Sequence, residues 1–151
     1  TFGSQGEAAL RALYPDRPIV QASNFVGAAL DAAVRAGFSA ALLGGHAGKL
    51  CKVAAGAMRT HNRDVDARRE AILAQLALMG APVDLCRAVY ACQTTDAAAE
   101  IIARAGFLAV WDRVAARAAE YCRLRARGAL EVGCLVFDAG GNALGRGGDV
   151  F

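Results

Sequence analysis

The residues best suited to chemistry lie between positions 44 and 70. Residues 44–49 read Gly-Gly-His-Ala-Gly-Lys, and a helix is expected from residue 47 to 57. On that helix Lys49, Lys52, Gly56 and, if it lasts so far, Thr60 fall at i, i+3, i+7 and i+11, on one face. Cationic side chains beside a bare glycine make a groove suited to a carboxylate-rich ligand. Arg59, Arg63, Arg68 and Arg69 follow, and a guanidinium grips a carboxylate through two parallel N–H donors. A solvated charged face is the competing reading for these arginines. It is weaker for the lysines, because fifteen of the seventeen cationic residues are Arg and the only two Lys are Lys49 and Lys52.

The glycine run invites comparison with a nucleotide-binding P-loop. That pattern needs a glycine where Leu43 stands and a Ser or Thr where Leu50 stands, so a nucleotide-dependent phosphotransferase is a poor match. An anion-accepting loop at a helix start remains expected. His46 and His61 flank the helix, and their spacing fits no zinc pattern, so hydrogen bonding or proton transfer is expected of them and no metal is. Asp66, Arg68 and Glu70 read equally well as the charged start of the next helix, with Asp64 as its cap. No serine sits in a nucleophile elbow and no cysteine has an evident histidine partner.

These residues need a scaffold. A short helix is expected over residues 7–13, a strand over 18–22, and a helix over 24–36 capped by Ser23 and ended by Gly37. Residues 39–43 (SAALL) show no polar alternation and read as a strand buried on both faces. A helical block follows, over about 64–79, 82–91, 95–105 and 109–127, before a strand at 131–137, a turn at 138–142 and a short edge strand at 143–146. The fold class is α/β: a small parallel sheet flanked by helices in three layers, with a helical block in the middle of the chain. Ligands in such sheets bind beyond the carboxyl ends of the strands, where loops 1–6, 23–27 and 44–49 should meet. A helix at the start with no strand before it suggests a further strand upstream.

The chain has 151 residues, 56% hydrophobic and 21% charged, enough for one globular domain and unlike a disordered or collagen-like segment. The net charge of +3 does not call for nucleic acid, and the arginines of residues 123–127 read as the charged last turn of a helix. Five cysteines (Cys51, Cys86, Cys92, Cys122, Cys134) include no CxxC pair, as expected for reduced thiols in the cytoplasm. No run is long enough for a membrane span or shaped like a signal peptide.

The stretch GHAGKLCKVAAGAMRTH followed by DARRE, residues 45–70, closely resembles the signature of the cobalt-precorrin-5B (C1)-methyltransferase family of anaerobic cobalamin biosynthesis. Its matching positions are Gly45, His46, Gly48, Lys49, Lys52, Gly56, Thr60, His61, Asp66, Arg68 and Glu70; Asn24-Phe25-Val26-Gly27 matches a preceding NFxG element. The resemblance departs only at residues 62–65. It implies a longer enzyme, with an N-terminal domain before this C-terminal α/β domain. It also implies methylation of C1 of a cobalt tetrapyrrole, with S-adenosylmethionine as donor. Under it, Lys49, Lys52, Thr60 and Arg68 would bind the acetate and propionate groups of the substrate. His46 and His61 would be candidates for a catalytic base; the resemblance does not identify the donor site, for which Asn24, Gly27, Gly44, Gly45 and Gly48, on the loops expected beyond the strand ends, are the candidates. A non-catalytic anion- or tetrapyrrole-binding module is the alternative. Alanine-rich helix faces such as residues 115–119 suggest either close helix packing or a homo-oligomer surface.

Overall fold

A computed structural model describes residues 1–150. Its elements are α1 (Ser4–Leu13), α2 (Val26–Arg35), β1 (Ala40–His46), α3 (Ala47–Ala54), α4 (Arg68–Leu78), α5 (Val83–Ala91), α6 (Thr95–Arg104), α7 (Val110–Arg125), β2 (Glu131–Phe137) and β3 (Ala143–Gly147). No helix among the described residues is long and apolar enough to cross a membrane.

The sheet has the order β1-β2-β3, with β1 parallel to β2 and β3 antiparallel to β2. The strand period of two sends alternate side chains of β2 to opposite faces. Val132, Cys134 and Val136 enter a large core with Leu50, Val114 and Trp111, while Leu135 and Phe137 meet Leu10 of α1 in a small one. The layers are therefore α1, the sheet, and α3 with α7, and helices α4 to α6 form the block between β1 and β2. Antiparallel β3 lies against α7 because Gly145 and Gly147 have no side chain. A Cβ on Gly147 would overlap the backbone of Ala116, and one on Gly145 would come within 2.5 Å of the Trp111 carbonyl carbon.

The α/β class, the three layers and the mid-chain helical block agree with the sequence, but several local expectations need correction. Residues 18–22 form no ladder with the sheet. Their backbone is tied instead to Thr1, whose amino group donates to Val20 O at 2.8 Å and whose carbonyl accepts from Ala22 N–H at 2.7 Å, while Ile19 packs by Leu10 and Gln21 Nε2 donates to Glu7. Ser23 caps nothing: it takes a φ of 50°, and α2 starts only at Val26. Asp64 does not cap α4, which starts at Arg68 after Ala67; Asp64 pairs instead with Arg59. Strand β1 runs on through Gly44 and Gly45 to His46, so those glycines are strand residues and not loop. Helix α3 stops at Ala54, and Gly56 (φ 92°) packs against Tyr121 where a bare groove was expected.

Candidate functional site

His46 is the last residue of β1 and the N-cap of α3. Its Nδ1 accepts the Gly48 N–H at 3.1 Å, and its Nε2 lies 3.0 Å from Asp96 Oδ1 in the first turn of α6. A ring nitrogen that accepts carries no proton, so the neutral ring is protonated at Nε2 and donates to Asp96. Both nitrogens are engaged. The ring thereby ties the first turn of α3 to the first turn of α6. His61, exposed, repeats the motif: its Nδ1 accepts from Arg63 N–H at 3.2 Å, leaving an Nε2–H with no partner among the described residues.

The two lysines converge one turn further on. Lys49 Nζ donates to Asn24 Oδ1 at 2.7 Å and to Thr60 O at 3.3 Å; Lys52 Nζ donates to the same Thr60 O at 3.2 Å and to Asn62 Oδ1. Thr60 is held in place because its N–H donates to Asn24 O at 3.0 Å and its hydroxyl to Asn24 Oδ1 at 3.1 Å. Thr60 therefore lies beyond the end of α3 yet returns to both lysines. Neither ammonium has a carboxylate partner among the described residues. Lys52 is only 1% exposed, and burial, with Lys49 and Arg68 nearby, pushes its pKa below that of a free lysine. Asp66 acts on Lys52 from a distance and offsets part of this, but no carboxylate comes into ion-pair contact with either ammonium.

Arg68 stands at the start of α4. It forks onto Asp66, Nε to Oδ1 at 2.6 Å and Nη2 to Oδ2 at 3.0 Å, and this bond holds the Asp66 carboxyl below its ordinary pKa. Its stem lies across from Gly48: a Cβ there would be 3.7 Å from Arg68 Cδ and 3.3 Å from both His46 Nδ1 and Thr95 Oγ1. The first turns of α3, α4 and α6 thus meet around Gly48. The tertiary structure joins His46, Asp96, Thr95 and Arg68 on one side of that turn, and Asn24, Lys49, Lys52 and Thr60 on the other.

The model of the CbiD, C-terminal domain family matches residues 59–148, more than half of the chain. The chain belongs to the CbiD C-terminal domain family. It is also similar to curated proteins named cobalt-precorrin-5B C(1)-methyltransferase. That from Photorhabdus laumondii subsp. laumondii is 52% identical over 102 residues, covering 68% of this chain and 27% of the relative. The protein from Listeria monocytogenes serotype 4b (strain CLIP80459) is 51% identical over 94 residues, covering 62% and 25%, and that from Tolumonas auensis is 47% identical over 102 residues, covering 68% and 27%. The chain spans about a quarter of the length of the curated relatives it matches. No solved structure matches it.

In this CbiD C-terminal domain three of the four glycines expected at a methyl donor, Gly27, Gly44 and Gly45, pack closely against other elements of the chain. A Cβ on Gly44 would come within 2.8 Å of Leu10 Cδ1, one on Gly45 would overlap the Phe2 ring, and one on Gly27 would come within 3.0 Å of Met58 Cβ. A small cavity beside Arg68 and an open groove beside Arg125 are both lined by other residues than Asn24, Gly27, Gly44, Gly45 and Gly48. Asp96, Thr95 and Asn62 were not singled out from the sequence. Asp96 had one visible signal, its place in the first turn of a helix that Thr94 caps through Ala97 N–H at 3.2 Å.

Proposed function

We propose that the chain is the C-terminal part of an S-adenosylmethionine-dependent methyltransferase acting on C1 of cobalt-precorrin-5B in anaerobic cobalamin synthesis. Its part in the reaction is to bind the acidic rim of the tetrapyrrole. The observation that carries this reading is the pair of ammonium groups on one Thr60 carbonyl, neither in ion-pair contact with a carboxylate among the described residues. A polyacidic substrate supplies the missing counter-charge. Half-buried Lys49 makes the direct contact, Lys52 charges the site from beneath, and Asn24 and Thr60 hold both in place. Arg68 adds its free Nη1, and His61 its outward Nε2–H, as further donors to substrate oxygens.

The role of His46 in this reading is to hold the first turn of α3, not to remove a proton. S-adenosylmethionine supplies an electrophilic methyl group, but three of the four glycines expected to approach it are filled by Phe2, Leu10 and Met58. No step through the donor is therefore derived from these residues. Donor contacts fall to the rest of the enzyme or to a cleft that it forms with this domain.

The test is steady-state kinetics of the full-length enzyme carrying Lys49→Ala. One lost charged hydrogen bond corresponds to a KM for the tetrapyrrole raised roughly tenfold, with kcat little changed. Unaltered kinetics would remove Lys49, and the carboxylate reading with it.

A further inference from the structure

A second polar cavity lies on the far side of Gly48, between the first turns of α4 and α6. Its volume is about 70 Å³, and Asp66, Arg68, Arg69, Thr94 and Thr95 are among the residues that line it. That is room for one carboxylate group or about two waters. The 11-residue helix α4 has no side-chain cap, so the N–H groups of its first turn point outward without a protein acceptor. In the 10-residue α6, Thr94 takes up the Ala97 N–H and leaves those of Thr95 and Asp96 free. Both helix starts present positive potential to an anion.

An independent observation concerns Thr95. Its side chain is 5% exposed, it lines the cavity, and its hydroxyl has no hydrogen-bond partner among the described residues. The residue is nearly buried while its unbonded hydroxyl faces the cavity, so a group that enters there meets a ready partner. The charges around it are set as a ligand site would need. Asp66 is neutralised by the Arg68 fork, which leaves Arg68 Nη1 free. Arg69 is held by Nη1 donating to Tyr90 O at 3.1 Å and by stacking 4.9 Å above the Tyr90 ring, so its Nη2 is fixed and free. Arg69 forms no ion pair with a carboxylate and keeps its guanidinium available to an anion.

We infer that this cavity is a carboxylate-binding subsite, with the Thr95 hydroxyl, the Arg68 and Arg69 guanidiniums and the first-turn N–H groups of α4 and α6 as its donors. Resting on the function proposed above, the ligand group is one acidic side chain of the tetrapyrrole, a second one being held at Lys49 across the Gly48 turn.

Amide chemical shifts of the 151-residue chain, followed during titration with propionate at constant ionic strength against chloride, test the subsite. Saturating shifts are expected at Arg69, Glu70, Thr95 and Asp96. Thr95→Val should weaken propionate binding at least fivefold, and Thr95→Ser, which keeps the hydroxyl, should retain it. Shifts that grow linearly, that chloride reproduces, or that Thr95→Val leaves unchanged would overturn the subsite. Inorganic phosphate saturating it ahead of propionate would overturn the carboxylate class. The kinetic role of Lys49 is measured separately: saturation by propionate upholds the subsite even where the Lys49→Ala kinetics do not move, and its absence removes the subsite while leaving a raised KM for Lys49→Ala intact.

Discussion

Lys49 and Lys52 aim their ammonium groups at one oxygen, the carbonyl of Thr60, at 3.3 and 3.2 Å. Two like charges gathered there raise the free energy of the folded chain and prepare it for an anion. The arrangement therefore predicts a stability signature as well as a binding one.

The folded-state pKa of Lys52 lies below its ordinary 10.5, so between the two values the unfolded chain holds more protons and stability rises with pH. Lys52→Met removes both the buried charge and this dependence. Urea midpoints of the two proteins, compared from neutral pH toward 10.5, should show the wild type gaining on the variant. A wild type that loses ground over that window would contradict the burial argument.

His46 and Asp96 form a part-exposed pair, with side-chain exposures of 28% and 43%, so their coupling should be modest. A double-mutant cycle with His46→Ala and Asp96→Ala is expected to give about 0.5 kcal/mol. His46→Ala alone should cost about 1 kcal/mol beyond that, because the Gly48 N–H loses its acceptor. Imidazole nitrogen shifts should show the Nε2–H form; an Nδ1–H form would disprove the capping geometry.

Glycines in this chain differ sharply in what surrounds them. Gly147→Ala would force β3 away from the backbone of α7 and should destabilise by about 3 kcal/mol or more. Gly3→Ala, with nothing within 4 Å and an extended backbone, should change stability by less than about 0.5 kcal/mol. Chemical denaturation of both variants checks the contrast.

The five cysteines should separate by reactivity. Cys51, Cys122 and Cys134 are buried, and burial pushes the Cys51 thiol up to about 12, so the reactive thiolate is withheld. The Cys134 thiol is raised as well, first by the hydrogen bond to Cys122 and then by burial. Cys86 and Cys92 are only half-buried and should be labelled first by a thiol reagent under native conditions. Modification of all five at one rate would indicate global opening.

Local signals carried much of the fold in the sequence alone. The run EVGCLVF formed β2 over the expected residues, since its apolar side chains from Val132 to Phe137 are all buried between the layers, whereas the start of β1, at the sheet edge, is partly exposed. The helices expected over 82–91 and 95–105 are α5 and α6, displaced by no more than one residue at either end. Lys49, Lys52, Thr60 and Arg68 stood out in residue type and spacing, and Lys49, Lys52 and Thr60 do converge in the fold. Their partners did not stand out. Asp96 lies fifty residues from His46, and Asn24 is twenty-five from Lys49. Ser23 and Asp64 look like caps to any local rule, yet neither caps a helix: α2 and α4 start further on, behind Phe25 and Ala67. Propensity acts over a few residues, whereas a hydrogen bond between distant side chains depends on which elements pack together. Only tertiary structure decided that Gly44 and Gly45 serve Leu10 and Phe2, and that three helix starts meet at Gly48.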